Sequence, residues 1–282
     1  MKIVKTVSEV RQQVKEWKRA GLSVGLVPTM GFLHEGHKSL IERAAAENDK
    51  VVVSDFVNPT QFGAGEDLDS YPRDIERDAI ICQDAGADLI FHPEADEMYK
   101  KGACTMVDMT GEITGELCGK TRPIHFRGVC TVVSKLFNIV CPDRAYFGQK
   151  DAQQLAVIKR MVCDLNFDIE IIGCPIIREE DGLAKSSRNT YLSDEERQAA
   201  LVLSKAVILG KSMAESGEKD ACKIVNEMKQ LIEKEPMAKI DYVKAVNAET
   251  ISPISEMNGS VLVAMAVYIG KTRLIDNFIY EC

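Results

Sequence analysis

Pro28-Thr29-Met30-Gly31-Phe32-Leu33-His34-Glu35-Gly36-His37 decides the fold, because the hydrophobic period of the chain changes across it. Upstream, Ser23-Val24-Gly25-Leu26-Val27 is a short apolar run that reads as a buried strand closed by Pro28. Downstream, Leu40, Ile41, Ala44 and Ala45 recur at helical spacing, which predicts a helix beginning near Gly36 or His37. The stretch is therefore a strand, a tight turn and a helix N-terminus. Gly31 and Gly36 let backbone approach a ligand, and the open amides of a first helical turn favour an anion. His34 and His37, three positions apart, can project from one side of that turn. Both could equally cap the helix or pack.

Outward from this stretch the alternation repeats. Strand-like runs fall at 50–57, 88–92, 144–147 and 169–177. Helical patterns fall at 74–85 (Ile75, Ala79, Ile80 and Cys82 on one face), 129–140 (Val132, Val133, Leu136, Phe137 and Val140 inward) and 151–165. Such alternation implies an α/β domain, a Rossmann-like doubly wound parallel sheet that binds ligands beyond the carboxyl ends of its strands. The pattern changes after Arg178. A polar loop, 179–189, leads to Ser193-Asp194-Glu195-Glu196, which has the form of a capping box. Helices at about 194–216 and 219–234, strands near 240–246 and 261–269, and a last apolar segment at 274–280 then predict a second, smaller α+β domain. The expected domains are residues 1–177 and 178–282.

The hydrophobic share of 45% and charged share of 28% over 282 residues are those of a globular protein. Apolar runs are too short to span a bilayer, and the start of the chain lacks a signal-peptide core, so a cytoplasmic protein without membrane partners is expected. A net charge of −8 argues against general nucleic-acid binding but leaves room for a small anion in a locally basic pocket. Nine cysteines include no C-x-x-C pair, and several sit in apolar runs (Cys130, Cys141, Cys163). They read as buried thiols rather than as a zinc site or disulfide framework.

Three further motifs fall at expected strand ends. Asn58-Pro59-Thr60-Gln61-Phe62-Gly63 presents Gln61, an uncharged donor and acceptor suited to a hydroxyl-bearing substrate, or is a plain Asn-Pro turn. Gly148-Gln149-Lys150-Asp151 opens a helix that carries Gln154 one turn later. Lys150 can place a point charge on phosphate, and Asp151 can cap the helix or accept from a ribose hydroxyl. Lys185-Ser186-Ser187-Arg188 brackets two hydroxyls with two cations and can cover a triphosphate, though a charged loop can also be a solvated linker. No nucleophile–base pair stands out.

The His-Glu-Gly-His segment resembles the signature of the nucleotidyltransferase superfamily. Together with Asn58–Gly63, Arg122-Pro123-Ile124-His125-Phe126, the 148–154 run and Ser186-Ser187-Arg188-Asn189, it resembles the pantoate–β-alanine ligase (pantothenate synthetase) family over residues 24 to 192 or so. The resemblance implies an ATP-dependent enzyme that joins (R)-pantoate to β-alanine through a pantoyl adenylate, working as a homodimer with a C-terminal lid. It implies ATP contacts from Met30, Gly31, Phe32, Leu33, His34, Glu35, Gly36 and His37. Further ATP contacts are implied from Gly148, Gln149, Lys150, Asp151, Ile177, Lys185, Ser186, Ser187 and Arg188. Pantoate falls to Gln61 and Gln154, and Mg2+ to Asp78. His37, His34, Lys150 and Arg188 are the implied catalytic groups. Two departures stand out: Arg77 beside Asp78, where some relatives carry an acid, and Lys185, where methionine is usual.

Overall fold

The computed structural model describes residues 1–282. They divide into two compact units. Met1–Met109, Ile124–Gln149 and Val157–Pro175 form the first; Thr110–Pro123, Lys150–Ala156 and Ile176–Cys282 form the second. The second unit thus takes in two segments that precede position 177.

In the first unit β1 (Lys2–Val4), α1 (Val7–Arg19), β2 (Val24–Thr29), α2 (Glu35–Glu47), β3 (Lys50–Asp55), α3 (Ile75–Asp84), β4 (Leu89–Phe91) and α4 (Ala95–Met98) follow in turn. After α5 (Glu112–Gly115) and α6 (Leu117–Thr121) of the second unit come α7 (His125–Val140), β5 (Arg144–Gly148), α8 (Ala152–Asp164) and β6 (Glu170–Cys174). The six strands pair in parallel in the order β1-β4-β3-β2-β5-β6. Val51, Val52, Val53, Ser54 and Asp55 of β3 are all buried, as a sheet covered on both faces requires. The order reverses at the β2/β5 pair, so a switch point opens at the carboxyl ends of those strands, where ligands bind in such sheets.

Pro28 does not close β2 but lies within it. Val24 accepts from Asp143, next to β5, and Thr29 accepts from Phe56, after β3, so alternate residues face alternate neighbours. Pro28 faces the β5 side, where pairing has already ended at Leu26, and its missing N–H leaves no ladder bond unmade. In α3 the expected apolar face is rotated. Ile80 is exposed, while Asp78 and Cys82, one turn apart, are buried. Cys130 is buried as expected, but Cys141 and Cys163 are exposed, because each follows the last inward position of its helix. The capped helix α1 escaped the sequence reading, although Thr6 and Glu9 form a capping box at its start.

The second unit holds α9 (Asp194–Glu215), α10 (Ala221–Ile232) and the antiparallel sheet β7 (Ala238–Asn247), β8 (Ser260–Ile269) and β9 (Thr272–Glu281). Ser193 caps α9 with the capping box expected there. One sheet face, with Val261, Val263, Met265, Leu274 and Phe278, joins the core built by Ala206, Val207, Ile224 and Met228 of α9 and α10. Tyr242, Lys244, Arg273 and Asn277 share the opposite face, and they hold α5, α6 and the start of α8.

Candidate active site

The turn after β2 is built from its core outward. Leu33 is fully buried and plugs the turn into the hydrophobic core. Gly31 has φ +78°, a left-handed conformation, and a Cβ there would lie 2.4 Å from Asp55 Oδ1, so only glycine fits. Beneath the turn, Asp78 accepts the Phe32 and Leu33 amides at 2.6 and 2.7 Å. Arg77 places its guanidinium 4.7 Å from the Phe32 ring. The Gly31 amide goes to Thr29 Oγ1 at 3.2 Å, and Thr29 Oγ1 in turn donates to the Ser54 carbonyl.

His34 is the N-cap of α2 and forms a reciprocal box with His37. Gly36 N–H donates to His34 Nδ1 at 3.1 Å and His34 N–H donates to His37 Nδ1 at 3.3 Å. The rings lie 4.1 Å apart between centroids. Both histidines therefore do cap the helix, the plainer of the two roles foreseen. An accepting nitrogen carries no proton, so in each neutral ring the proton sits on Nε2, which becomes a donor. Capping consumes one edge of each imidazole and fixes the tautomer of the other.

The same contacts narrow one expectation. The amides of Phe32 and Leu33 go to Asp78, and those of Gly31, His34 and Gly36 to side chains of the turn itself, so fewer amides face an anion than the glycines suggested. What the turn offers an anion is the positive end of the α2 dipole and the two Nε2–H groups.

Asp78 also departs from expectation. It is fully buried, both its oxygens hold main-chain amides, and no group of three His, Cys, Asp or Glu side chains gathers to hold a metal. It anchors the turn, and a Mg2+ ligand does not fit this position. Burial pushes its carboxyl up to about 6, helped by the neighbouring Asp55 and opposed by the two amides and Arg77. Asp55 Oδ2 is buried without a hydrogen-bond partner. Contact with Asp55 raises His92, favouring an imidazolium that offsets the buried charge.

Gln61 ends a short 3-10 turn, Pro59–Gln61, capped by Asn58. Its Oε1 accepts from Asn58 Nδ2 at 3.1 Å, and its Nε2 lies 3.0 Å from Met30 Sδ, which brings Gln61 to the start of the histidine turn. Tyr99 and Gly128 also hold Asn58, and a Cβ on Gly128 would meet the Thr60 carbonyl at 2.4 Å. Gly128 is what lets α7 pack against this turn. Gly148 and Gln149 lie at the carboxyl end of β5, the neighbour of β2.

The other expected site residues lie in the second unit. Lys150 and Asp151 form the 3-10 turn ahead of α8, and Gln154 is half-buried in its first turn. Ile177 accepts the Lys185 amide at 2.9 Å, closing a hairpin. Ser186 then caps the 3-10 turn Ser187–Tyr191 by accepting the Arg188 amide at 3.3 Å. Lys185 Nζ is 4.0 Å from Glu179, which also pairs with Arg197, so its charge is partly met inside the loop. Sequence reasoning missed Asp276 and Asn277, which hold Arg178 and the Lys150 carbonyl. Two adjacent polar residues within the apolar run of β9 were the available signal.

A family model described as pantoate-beta-alanine ligase matches residues 2–279. Pantothenate synthetase of Clostridium acetobutylicum is 63% identical over 281 residues, covering 100% of both chains. That of Enterococcus faecalis is 64% identical over 281 residues, covering 100% of this chain and 99% of its own. Among solved structures, pantothenate synthetase of Thermus thermophilus superposes with a TM-score of 0.92 at 46% identity over 99% of each chain. Pantoate-beta-alanine ligase of Francisella tularensis, complexed with beta-gamma ATP and beta-alanine, gives 0.81 at 34% identity, over 99% of this chain and 97% of its own. With a family model over nearly its whole length and relatives of this identity, the chain belongs to the pantoate–β-alanine ligase family.

Proposed function

We propose that the chain condenses (R)-pantoate with β-alanine in two steps through pantoyl adenylate. A carboxylate does not condense with an amine at neutral pH until its oxygen is made a leaving group. In the first step a pantoate carboxylate oxygen attacks the α-phosphorus of ATP, and the bond to the β-phosphate oxygen breaks, releasing pyrophosphate. In the second, the free amine of β-alanine attacks the acyl carbon, the acyl–oxygen bond breaks, AMP leaves and the nitrogen loses a proton. No enzyme nucleophile is needed, so rate enhancement comes from alignment and from offsetting charge.

The observation that carries this reading is the reciprocal His34–His37 cap, which makes both rings Nε2–H donors at the N-terminus of α2. Such donors suit phosphate oxygens whose charge grows as pyrophosphate departs. Lys150 and Arg188 supply the cations, Gln61 and Gln154 hold pantoate, and the remaining residues of 30–37, 148–151, Ile177 and 185–188 line the nucleotide. Mg2+ accompanies the triphosphate as its counter-ion, and no step is assigned to it. Residues 1–177 as the ATP- and pantoate-binding part, 178–282 as a lid, a homodimeric state and a cytoplasmic setting belong to the same proposal.

The test is product analysis with ATP, pantoate and β-alanine, leaving out each in turn. Pyrophosphate release should require pantoate, and AMP should accumulate only when β-alanine is added. Release that ignores pantoate, or a product that keeps the nucleotide, refutes the reading.

A further inference from the structure

β9 is an apolar strand interrupted at its centre. Leu274-Ile275 and Phe278-Ile279 flank Asp276-Asn277, and both polar side chains are buried, 1% and 4% exposed. Their register partners on β8 are Met265 and Ala264, which offer them no side-chain hydrogen bond. A buried polar pair costs desolvation and is kept only where its bonds are made. Each of the two makes them to a different expected phosphate-binding segment.

Successive residues of a strand point to opposite faces. From one face, Asn277 Nδ2 donates to the Lys150 main-chain carbonyl at 2.9 Å, in the turn ahead of α8. From the other, Asp276 takes Arg178 in a two-point pair, with Nη1 at 2.7 Å and Nη2 at 2.9 Å. Arg178 is at the root of the hairpin that Ile177 and Lys185 close, and the chain then enters the 3-10 turn that carries Arg188. Arg178 Nη1 also donates to the Gly182 carbonyl at 3.0 Å, and Arg178 bridges to Ala184. Asp276 Oδ1 accepts the Asn277 amide at 2.8 Å, tying the two residues together. The strand beneath them is unbroken, paired with β8 from Thr272 to Glu281.

We propose that Asp276 and Asn277 are positioning residues of the ligation, fixing the Lys150 turn and the 177–185 hairpin, which leads directly into the turn of Arg188, to opposite faces of one strand so that Lys150 and Arg188 keep a set separation. This rests on the reading that both cations meet the phosphates. Asn277 acts through the 150–151 peptide, which aims the Lys150 side chain, and Asp276 acts through Arg178. Asparagine suits the first role because its amide donates without adding a charge beside Lys150. Aspartate suits the second because only a carboxylate accepts both guanidinium arms.

The experiment is a pair of kinetic double-mutant cycles, reading pantoate-dependent pyrophosphate release in a single turnover at saturating ATP and pantoate, with melting curves on every variant. Asn277→Ala alone should slow the step about 10- to 100-fold, the usual consequence of displacing an aligned group by about 1 Å. In a Lys150→Ala background the same substitution should cost less than about twofold, since the group it aims is gone. Asp276→Asn should behave likewise against Arg188→Ala. If Asn277→Ala does not fold, Asn277→Thr, a good strand former without the amide's reach, takes its place in the cycle. A folded Asn277 variant with the parental rate overturns the proposal, and so does a penalty that persists in full without Lys150. A Lys150→Ala enzyme with the parental rate overturns the site reading itself, and this proposal with it.

Discussion

Cap-preserving substitutions at the two histidines separate structure from chemistry. Each imidazole has one nitrogen on the backbone and, by consequence, a proton on the other. His34→Ala removes both functions, and losing an N-cap costs about 0.5–2 kcal/mol of stability. His34→Asn removes only one. Asparagine is among the best N-caps, and its Oδ1 branches from Cγ as Nδ1 does, so the Gly36 amide keeps an acceptor. His37→Gln likewise restores the glutamine form of a capping box at the third helical position. Both cap-preserving variants should unfold within about 0.5 kcal/mol of the parent, as surface substitutions do. Both should nevertheless lose the Nε2–H donor and slow adenylation by about 10²–10³, or ~2.7–4 kcal/mol, the loss typical of one preorganised donor. Single-turnover pyrophosphate release gives the rate, and urea unfolding gives the stability. A folded His34→Asn enzyme that adenylates pantoate within about threefold of the parent would show that the ring is only a cap.

Gln61→Ala and Gln154→Ala should raise the pantoate requirement by about 0.5–1.5 kcal/mol each while ATP binding holds, measured by separate titrations; equal loss of ATP affinity counts against their assignment. Gly128→Ala would put a Cβ 2.4 Å from the Thr60 carbonyl and 2.5 Å from Gln61 Cα, so it should cost about 1–3 kcal/mol in urea unfolding and also raise the pantoate requirement. The Asp78 carboxyl titrates at about 6 when folded against an ordinary 3.8, so the folded state holds its proton more tightly. Its contribution is complete below the unfolded value and is lost as pH rises through about 6. The stability of the parent relative to Asp78→Asn should therefore be greater at pH 4.5 than at pH 7.5, by about 2 kcal/mol, and a difference of opposite sign refutes the assignment. Lys185→Met should slow adenylation by less than about tenfold, ~1.4 kcal/mol, because Glu179 already meets part of that charge, whereas Arg188→Ala should cost far more. Pyrophosphate release at two salt concentrations compares the pair, and the reverse ranking would move the loop's working charge to Lys185.

The parallel sheet was legible because its strands are continuous apolar runs separated by longer helical patterns; the one-sided face expected for α7 is, in the structure, burial on nearly every side, with only Lys135 and Asn138 left out between Val129 and Val140. Periodicity failed where a polar group is buried on purpose. Apolar periodicity favoured Ile80 as the inward residue of α3, yet Asp78 faces in, because two main-chain amides of the 31–33 turn wait there for an acceptor. Apolar counting has no means of seeing an acceptor that is needed 45 residues away. The same holds for Asp276 and Asn277, whose partners lie 98 and 127 residues back. β1, three residues long, gave no period at all. The histidine turn was found from spacing, but spacing could not say that its amides are used internally.

That internal use of amides bears on how an acidic chain can hold a triphosphate. An open amide nest would offer several weak donors and tolerate any anion. Here the buried Asp78 carboxylate draws the Phe32 and Leu33 amides inward, and the two histidines take those of Gly36 and His34. The turn also holds two imidazole N–H groups, each fixed in tautomer by a backbone bond. Rigid, aimed donors are worth most where charge develops during reaction, because they need no reorganisation at that moment. The cost is a buried acid whose own charge is unfavourable, visible in the raised Asp78 carboxyl. In the second unit the buried acid is again behind the cation-bearing loop, Asp276 holding Arg178, and not within it. A buried acid behind each of these segments, Asp78 and Asp276, lets a chain of net charge −8 hold locally aimed donors for a polyanion, while Glu179 inside the loop offsets part of the Lys185 charge.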